Sequence, residues 1–174
     1  MEIVVNDTNI FIDLYSIGLL ESFFLLPINI HTVDFVLNEL TEKEQFSAVN
    51  RYINEGKLLI RTFNSNELVE IADLQMSANG NVSFTDCAVW YYARNNNYTL
   101  LTGDSQLRKR AIESNVSVKG IIYIFDLLLE YNIIPSKLAA KKLQELLSIN
   151  SRLPRRIIQD RIETWSRKSN SRFK

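Results

Sequence analysis

The apolar positions of this chain fall into blocks of two kinds. Runs rich in Ile, Val and Leu at Ile3–Asn6, Ile28–Thr32, Leu58–Thr62, Thr99–Thr102 and Val116–Val118 predict buried strands. Such runs, continuous rather than strictly alternating, suit a parallel sheet covered on both faces. Between them apolar residues recur with a helical period. "VDFVLNEL" is amphipathic, "EKEQFSAVNRYINEG" ends at Gly56, and "NSNELVEIADLQMSA" opens on a Ser/Asn cap and stops near Gly80. "FTDCAVWYYARNN" and "SQLRKRAIESN" continue the pattern, and Gly120 leads into "IIYIFDLLLEYN". Pro135–Ser136 and Pro154 start the last two helical stretches, proline suiting a first turn because it lacks an N–H. Strand–helix alternation predicts an α/β domain with right-handed crossovers. The terminal "SNSRFK" is expected to be disordered.

Against this pattern the polar residues that interrupt apolar blocks stand out. In "IVVNDTNIFID" a strand-like run meets Asp7, Thr8 and Asn9 before apolar residues resume. Ligands of an open parallel sheet bind outside the carboxyl ends of its strands. Asp7 lies just past the first strand, Glu39 on the helix after the second, Asp86 at the start of the helix leading to the fourth, and Asp104 directly after the fourth in "LLTGD". Carboxylate oxygens are the ligands that Mg²⁺ and Mn²⁺ prefer, and gathered carboxylates need a cation or a raised pKa. Each acid also has an ordinary reading. Asp7 suits an Asx turn or helix cap, Glu39 a solvated helix face, Asp86 a capping box with Ser83, and Asp104 the cap of the next helix. Separate caps have no reason to converge on one sheet edge, which favours a site. Thr8, Asn9 and Thr102 supply small polar groups that could orient such ligands.

Composition narrows the possibilities. The 174 residues, 46% hydrophobic and 23% charged, describe a globular domain with a terminal addition, expected as 1–134 and 135–174. No apolar stretch is long enough to span a bilayer and no secretory leader is recognisable, so no membrane association is expected. A single cysteine and a single histidine exclude a disulfide framework and argue against Cys- or His-based metal ligation; a reducing cytoplasm is the simplest setting. Net charge is zero, yet residues 151–174 carry eight basic against two acidic residues, leaving −6 on the rest. A basic tail on an acidic body suits an anionic partner or simple solvation.

Four segments, "VVNDTNIFID", "FVLNELTE", "SFTDCAVWYYAR" and "LLTGDSQLRKRA", resemble the motif blocks of the PIN-domain nucleases in order and spacing. The resemblance implies a three-layer α/β/α fold with a central parallel sheet of about five strands, and Mg²⁺- or Mn²⁺-dependent phosphodiester cleavage. It carries over Asp7, Glu39, Asp86 and Asp104 as the catalytic and metal-binding acids, with Thr8 and Thr102 in support. Many bacterial members of this size resemble toxins that cleave RNA, dimerise and are blocked by an antitoxin. The residues from 135 onward depart from the minimal domain. Asp7 and Asp104 are the first choices as direct ligands, with Asp86 close behind, while Glu39 either ligates or acts through water as a base.

Other residues are weighed against plainer roles. Arg108, Lys109 and Arg110 follow Asp104 on one helix and either neutralise substrate phosphates or form a solvated face. His31 lies within the second strand pattern and reads as a packed sheet residue, Cys87 as a buried packing residue, and Tyr91, Tyr92 and Tyr98 as core. The final helix, with Ile157, Ile158, Ile162 and Trp165 against several arginines, is free to pack on its own domain or on a partner. A receiver-like phosphoacceptor domain is mimicked by Asp7, Thr102 and Lys119, yet "GKLLIRTFN" supplies no aspartate at the third strand. A catalytically silent PIN-like binding module and a DNA- or structure-specific nuclease are the remaining alternatives.

Overall fold

Five short strands organise the chain. In the computed structural model, which describes residues 2–170 (the last three by backbone alone), these are β1 (Ile3–Asn6), β2 (Asn29–Val33), β3 (Leu58–Arg61), β4 (Thr99–Leu101) and β5 (Val118–Lys119). They pair in the order β3-β2-β1-β4-β5, every neighbour parallel. A central strand of such a sheet is covered on both faces, and Val4 and Val5 of β1 are both fully buried. The helices are α1 (Thr8–Ser16), α2 (Leu20–Phe23), α3 (Asp34–Glu39), α4 (Lys43–Asn54), α5 (Ser65–Ser77), α6 (Phe84–Asn96), α7 (Ser105–Glu113), α8 (Ile121–Glu130), α9 (Ser136–Ile149) and α10 (Arg155–Asn170). This is the α/β/α arrangement with a five-stranded parallel sheet that the sequence predicts. The strand order also separates it from the receiver-like domain, whose doubly wound sheet runs 2-1-3-4-5.

The chain forms two compact units, Met1–Ile12 with Pro27–Gly120, and Asp13–Leu26 with Ile121–Lys174. The expected division after residue 134 falls inside the second unit, between α8 and α9. In the first unit α6 is buried almost all round, from Thr85 to Ala93, and packs on β1, β2 and β4 as well as on α5 and α7. In the second unit α9 and α10 pack together. Ile158 and Trp165 are buried, and the Trp165 ring stacks on Phe125 at 5.8 Å. The apolar stripe of the last helix thus lies within its own unit, with Arg161 paired to Asp126 at 2.8 Å. Of the terminal "SNSRFK", expected to be disordered, Ser169 and Asn170 instead continue α10, and the remaining four residues lie outside the described residues.

The structure differs from the sequence reading in two places. Residues 8–23 form α1 and α2, which the β-branched start of "TNIFID" concealed. Their apolar spacing is nonetheless helical, with Ile10, Phe11, Leu14 and Ile17 all buried. The fifth strand occupies Val118–Lys119 rather than starting at Val116. The left-handed Asn115 (φ 62°) closes α7, and the Val116 N–H returns to the Ala111 carbonyl at 3.0 Å, so Val116 belongs to the helix stop. Among the described residues no helix is long and apolar enough to cross a membrane.

Candidate active site

The chain leaves β1 for β2 and β3 on one side and later adds β4 and β5 on the other. Such a reversal opens a crevice outside the carboxyl ends of the two strands that flank it, here β1 and β4. Asp7 and Thr102 are the first residues beyond those strands. The Asp7 N–H donates to the Leu101 carbonyl at 3.0 Å, which extends the ladder and sets the two residues side by side.

Asp7 is 2% exposed, and both its oxygens accept hydrogen bonds. Oδ1 takes the Thr8 N–H at 2.7 Å, and Oδ2 takes the Thr102 hydroxyl at 2.6 Å and the Asn9 amide at 2.5 Å. Asn9 Oδ1 in turn accepts the Gly103 N–H at 2.8 Å, so this amide spans the loops after β1 and β4. Asn6 and Thr32, both fully buried, complete the support: the Thr32 hydroxyl donates to the Asn6 carbonyl at 2.6 Å. The sequence reading passed over these two. A buried amide at the end of an apolar strand was the available signal.

The other three acids arrive on separate elements. Glu39, the last residue of α3, is exposed and accepts the Thr8 hydroxyl at 2.6 Å. Asp86 is the third residue of α6 and forms a capping box with Ser83, accepting its N–H at 2.7 Å. Asp104 caps α7, its Oδ1 taking the N–H groups of Gln106 and Leu107 at 2.8 Å each, while its own N–H donates to Thr102 Oγ1 at 3.0 Å. Capping therefore accounts for local conformation at two acids, but each cap engages one carboxylate oxygen. Capping and clustering coexist because helix starts are where this sheet delivers side chains to its carboxyl edge.

The fields of the four acids overlap. Burial pushes the Asp7 carboxyl up to about 7, against the Thr102 and Thr8 hydrogen bonds that pull it down, and the charges of Asp86 and Glu39 raise it further. Asp86 is likewise raised, first by burial and then by Asp104 and Glu39, against the Ser83 bonds. A divalent cation is what the motif resemblance implies here. The donors fit such an ion in kind, since hard cations take carboxylate oxygens, and in charge, since neighbouring carboxylates raise Asp7 and Asp86. Among the described residues no three acidic side chains stand close enough together to share one ion.

The basic run after Asp104 divides. Lys109 is exposed, and Arg110 reaches Glu113 at 3.3 Å. Arg108 is half-buried and donates to the carbonyls of Thr102 and Val118 at 3.2 and 3.4 Å. His31 on β2 pairs its Nδ1 with the Tyr92 hydroxyl at 2.8 Å, and burial lowers its pKa, as suits a packed residue. Cys87 is fully buried and its thiol is pushed up to about 12, so it is no nucleophile at neutral pH. Tyr91 and Tyr92 are buried.

A sequence model described as a PIN domain matches residues 3–167, nearly the whole chain, including α9 and most of α10. The chain belongs to the PIN-domain family. Among solved structures, this PIN domain is similar to PAE2754 from Pyrobaculum aerophilum, at 13% identity and a TM-score of 0.51, covering 73% of this chain and 96% of that one. It is also similar to VapBC2 from Rickettsia felis, solved bound to a DNA fragment from their promoter, at 20% identity, TM-score 0.48, with 68% and 98% covered. For FitAcB from Neisseria gonorrhoeae the values are 13%, 0.43, 66% and 95%. No curated protein matches the chain. The match to PAE2754 bears on fold alone.

Proposed function

We propose that this PIN-domain protein is a Mg²⁺- or Mn²⁺-dependent phosphodiesterase that cleaves RNA at the carboxyl edge of β1 and β4. The observation that carries this reading is that four separate elements bring acids to this region, where the Asp86 and Glu39 charges act on Asp7 and the Asp104 and Glu39 charges on Asp86. Asp7, Asp86 and Asp104 would hold the cation, with Glu39 joining directly or through water. The ion's contribution is to offset phosphate charge and to activate water. The chain's own residues fix the site. Thr102 and Asn9 orient Asp7, and Thr8 orients Glu39, through hydrogen bonds to their carboxylates. Lys109, exposed on the helix that Asp104 caps, is placed to neutralise substrate phosphate.

RNA is the substrate that the motif resemblance implies, together with an antitoxin partner, a homodimer and a cytoplasmic setting in which the Cys87 thiol stays reduced. Incubation of RNA and DNA oligonucleotides with the protein and Mn²⁺ or Mg²⁺, beside Asp7→Asn, tests the reading. RNA cut by the wild type alone supports it, and cleavage of DNA alone assigns the DNA-nuclease alternative. If nothing is cut, or the variant cuts equally well, the chain is a silent binding module. Light scattering of the purified protein reads the dimer, and a small neighbouring reading frame with a DNA-binding fold supports an antitoxin.

A further inference from the structure

Arg108 occupies an unusual place for a cation. Its guanidinium is half-buried, and its hydrogen bonds go to neutral carbonyls, Nη2 to Thr102 O at 3.2 Å and Nη1 to Val118 O at 3.4 Å. No ion pair to a carboxylate is formed there among the described residues. One carbonyl lies just past the end of β4 and the other on the first residue of β5, two strands of three and two residues joined by a short ladder. Beyond the ladder the Thr102 N–H donates to Lys119 O at 3.1 Å, which ties the Thr102 backbone to β5. The planar fork of an arginine can reach acceptors on both strands at once, which a lysine ammonium cannot.

Gly120 makes room for this fork. A Cβ added at Gly120 would lie 2.9 Å from Arg108 Nη2 and 3.5 Å from Thr102 O. The close neighbour is the far end of a flexible side chain, so a methyl group there would push the guanidinium off rather than break the fold. What Arg108 holds matters because the Thr102 hydroxyl donates to Asp7 Oδ2 at 2.6 Å and accepts the Asp104 N–H at 3.0 Å. One backbone position thus serves two of the four acids.

We propose that Arg108 is a positioning residue for the candidate active site: its guanidinium, admitted by Gly120, fixes the Thr102 carbonyl and thereby the Thr102 hydroxyl between Asp7 and Asp104. This rests on the nuclease reading for its effect on turnover, but not for its effect on geometry. Arg108→Gln and Gly120→Ala are compared with the wild type, singly and together, in RNA cleavage with Mn²⁺ and in amide hydrogen exchange. In exchange, the Asp104 N–H opens at least about ten-fold faster in both variants, while the Thr8 N–H, on the other Asp7 oxygen, changes less. In cleavage, kcat falls about ten-fold in Arg108→Gln and several-fold in Gly120→Ala, with KM and its salt dependence retained. The double variant is no worse than Arg108→Gln, because the methyl displaces a group already gone. Unchanged Asp104 exchange overturns the proposal. So does an increase in KM with a shallower salt slope, which marks a phosphate contact, and so do effects that multiply in the double variant. An inactive wild type overturns the nuclease reading and leaves the exchange result to decide this one.

Discussion

Asp7 and Asp13 are two buried carboxylates at opposite ends of nearly the same helix segment, and they live in opposite electrostatic company. Both are under a tenth exposed, and burial raises both, Asp7 to about 7 and Asp13 to about 6. Around Asp7 the charged groups are Asp86 and Glu39, which raise it further. Around Asp13, in the second unit, the Asn150 amide bonds both oxygens at 3.0 Å and the Arg152 charge pulls its pKa down. Asp13 is thus a satisfied anchor for the turn between α9 and α10. Asp7 has hydrogen bonds but faces like charge, which a bound proton or an added cation relieves. Burial alone does not separate a structural acid from a functional one. The sign of its neighbours does.

The sharpest way to break this contrast is cleavage. Asp7→Asn is expected to lower kcat/KM on the order of 10²–10³-fold, the scale for losing a group that organises transition-state charge. Asp13→Asn should stay within about two-fold. Equal losses in both variants would dissolve the distinction.

Stability against pH comes next, read by urea unfolding in the presence of a chelator. A carboxyl whose folded pKa lies above its ordinary 3.8 holds its proton more tightly when folded. Its contribution is therefore fully present below about pH 4 and is lost as pH rises to the folded value. For Asp7 that window runs from about 4 to 7 and spans at most about 4 kcal/mol. For Asp13 it closes near 6 and spans at most about 3 kcal/mol. Asp7→Asn should flatten the decline between pH 6 and 7, and Asp13→Asn should leave that part intact. A wild type whose stability is level from pH 4 to 7 would contradict both shifts.

Metal linkage sharpens the same point at smaller amplitude. At 100 times its dissociation constant Mn²⁺ adds about 2.7 kcal/mol, a rise of several degrees in Tm for a chain of this size. Asp13→Asn should respond like the wild type, Asp7→Asn hardly at all. A wild-type Tm indifferent to Mn²⁺ and Mg²⁺ would count against the cation site. The smallest effect belongs to the substrate. Lys109→Ala should raise KM about two- to three-fold and reduce the salt slope by about one, as expected for one lost phosphate contact.

The legibility of the sequence varied with the range of the interaction. The α6 stretch was read to the residue, from Phe84 to Asn96, because a capping box at Ser83 and a left-handed stop at Asn97 are local events written in adjacent residues. β1 was equally plain. α1 was missed because Ile10 and Ile12 prolong a β-branched run, and only packing reveals that the chain turns helical at Thr8. Asp7, Glu39, Asp86 and Asp104 could be named in advance because a parallel sheet sends its strand exits to one edge. Asn9 could be named beside them as an orienting amide, whereas the places of Arg108 and Gly120 could not, since each depends on how two loops meet.

By itself, then, the order of residues determined most of the elements and the parallel sheet and pointed to acids for its carboxyl edge, consequences of periodicity, caps and right-handed crossovers. Only the tertiary structure decided which acids feel one another, which hydroxyl serves two of them, and that Asp13 faces an amide and a cation, Asn150 and Arg152, while Asp7 faces other carboxylates. Charge–charge and hydrogen-bond energies depend on distances of a few ångströms between segments far apart in the chain, and no local pattern encodes those distances.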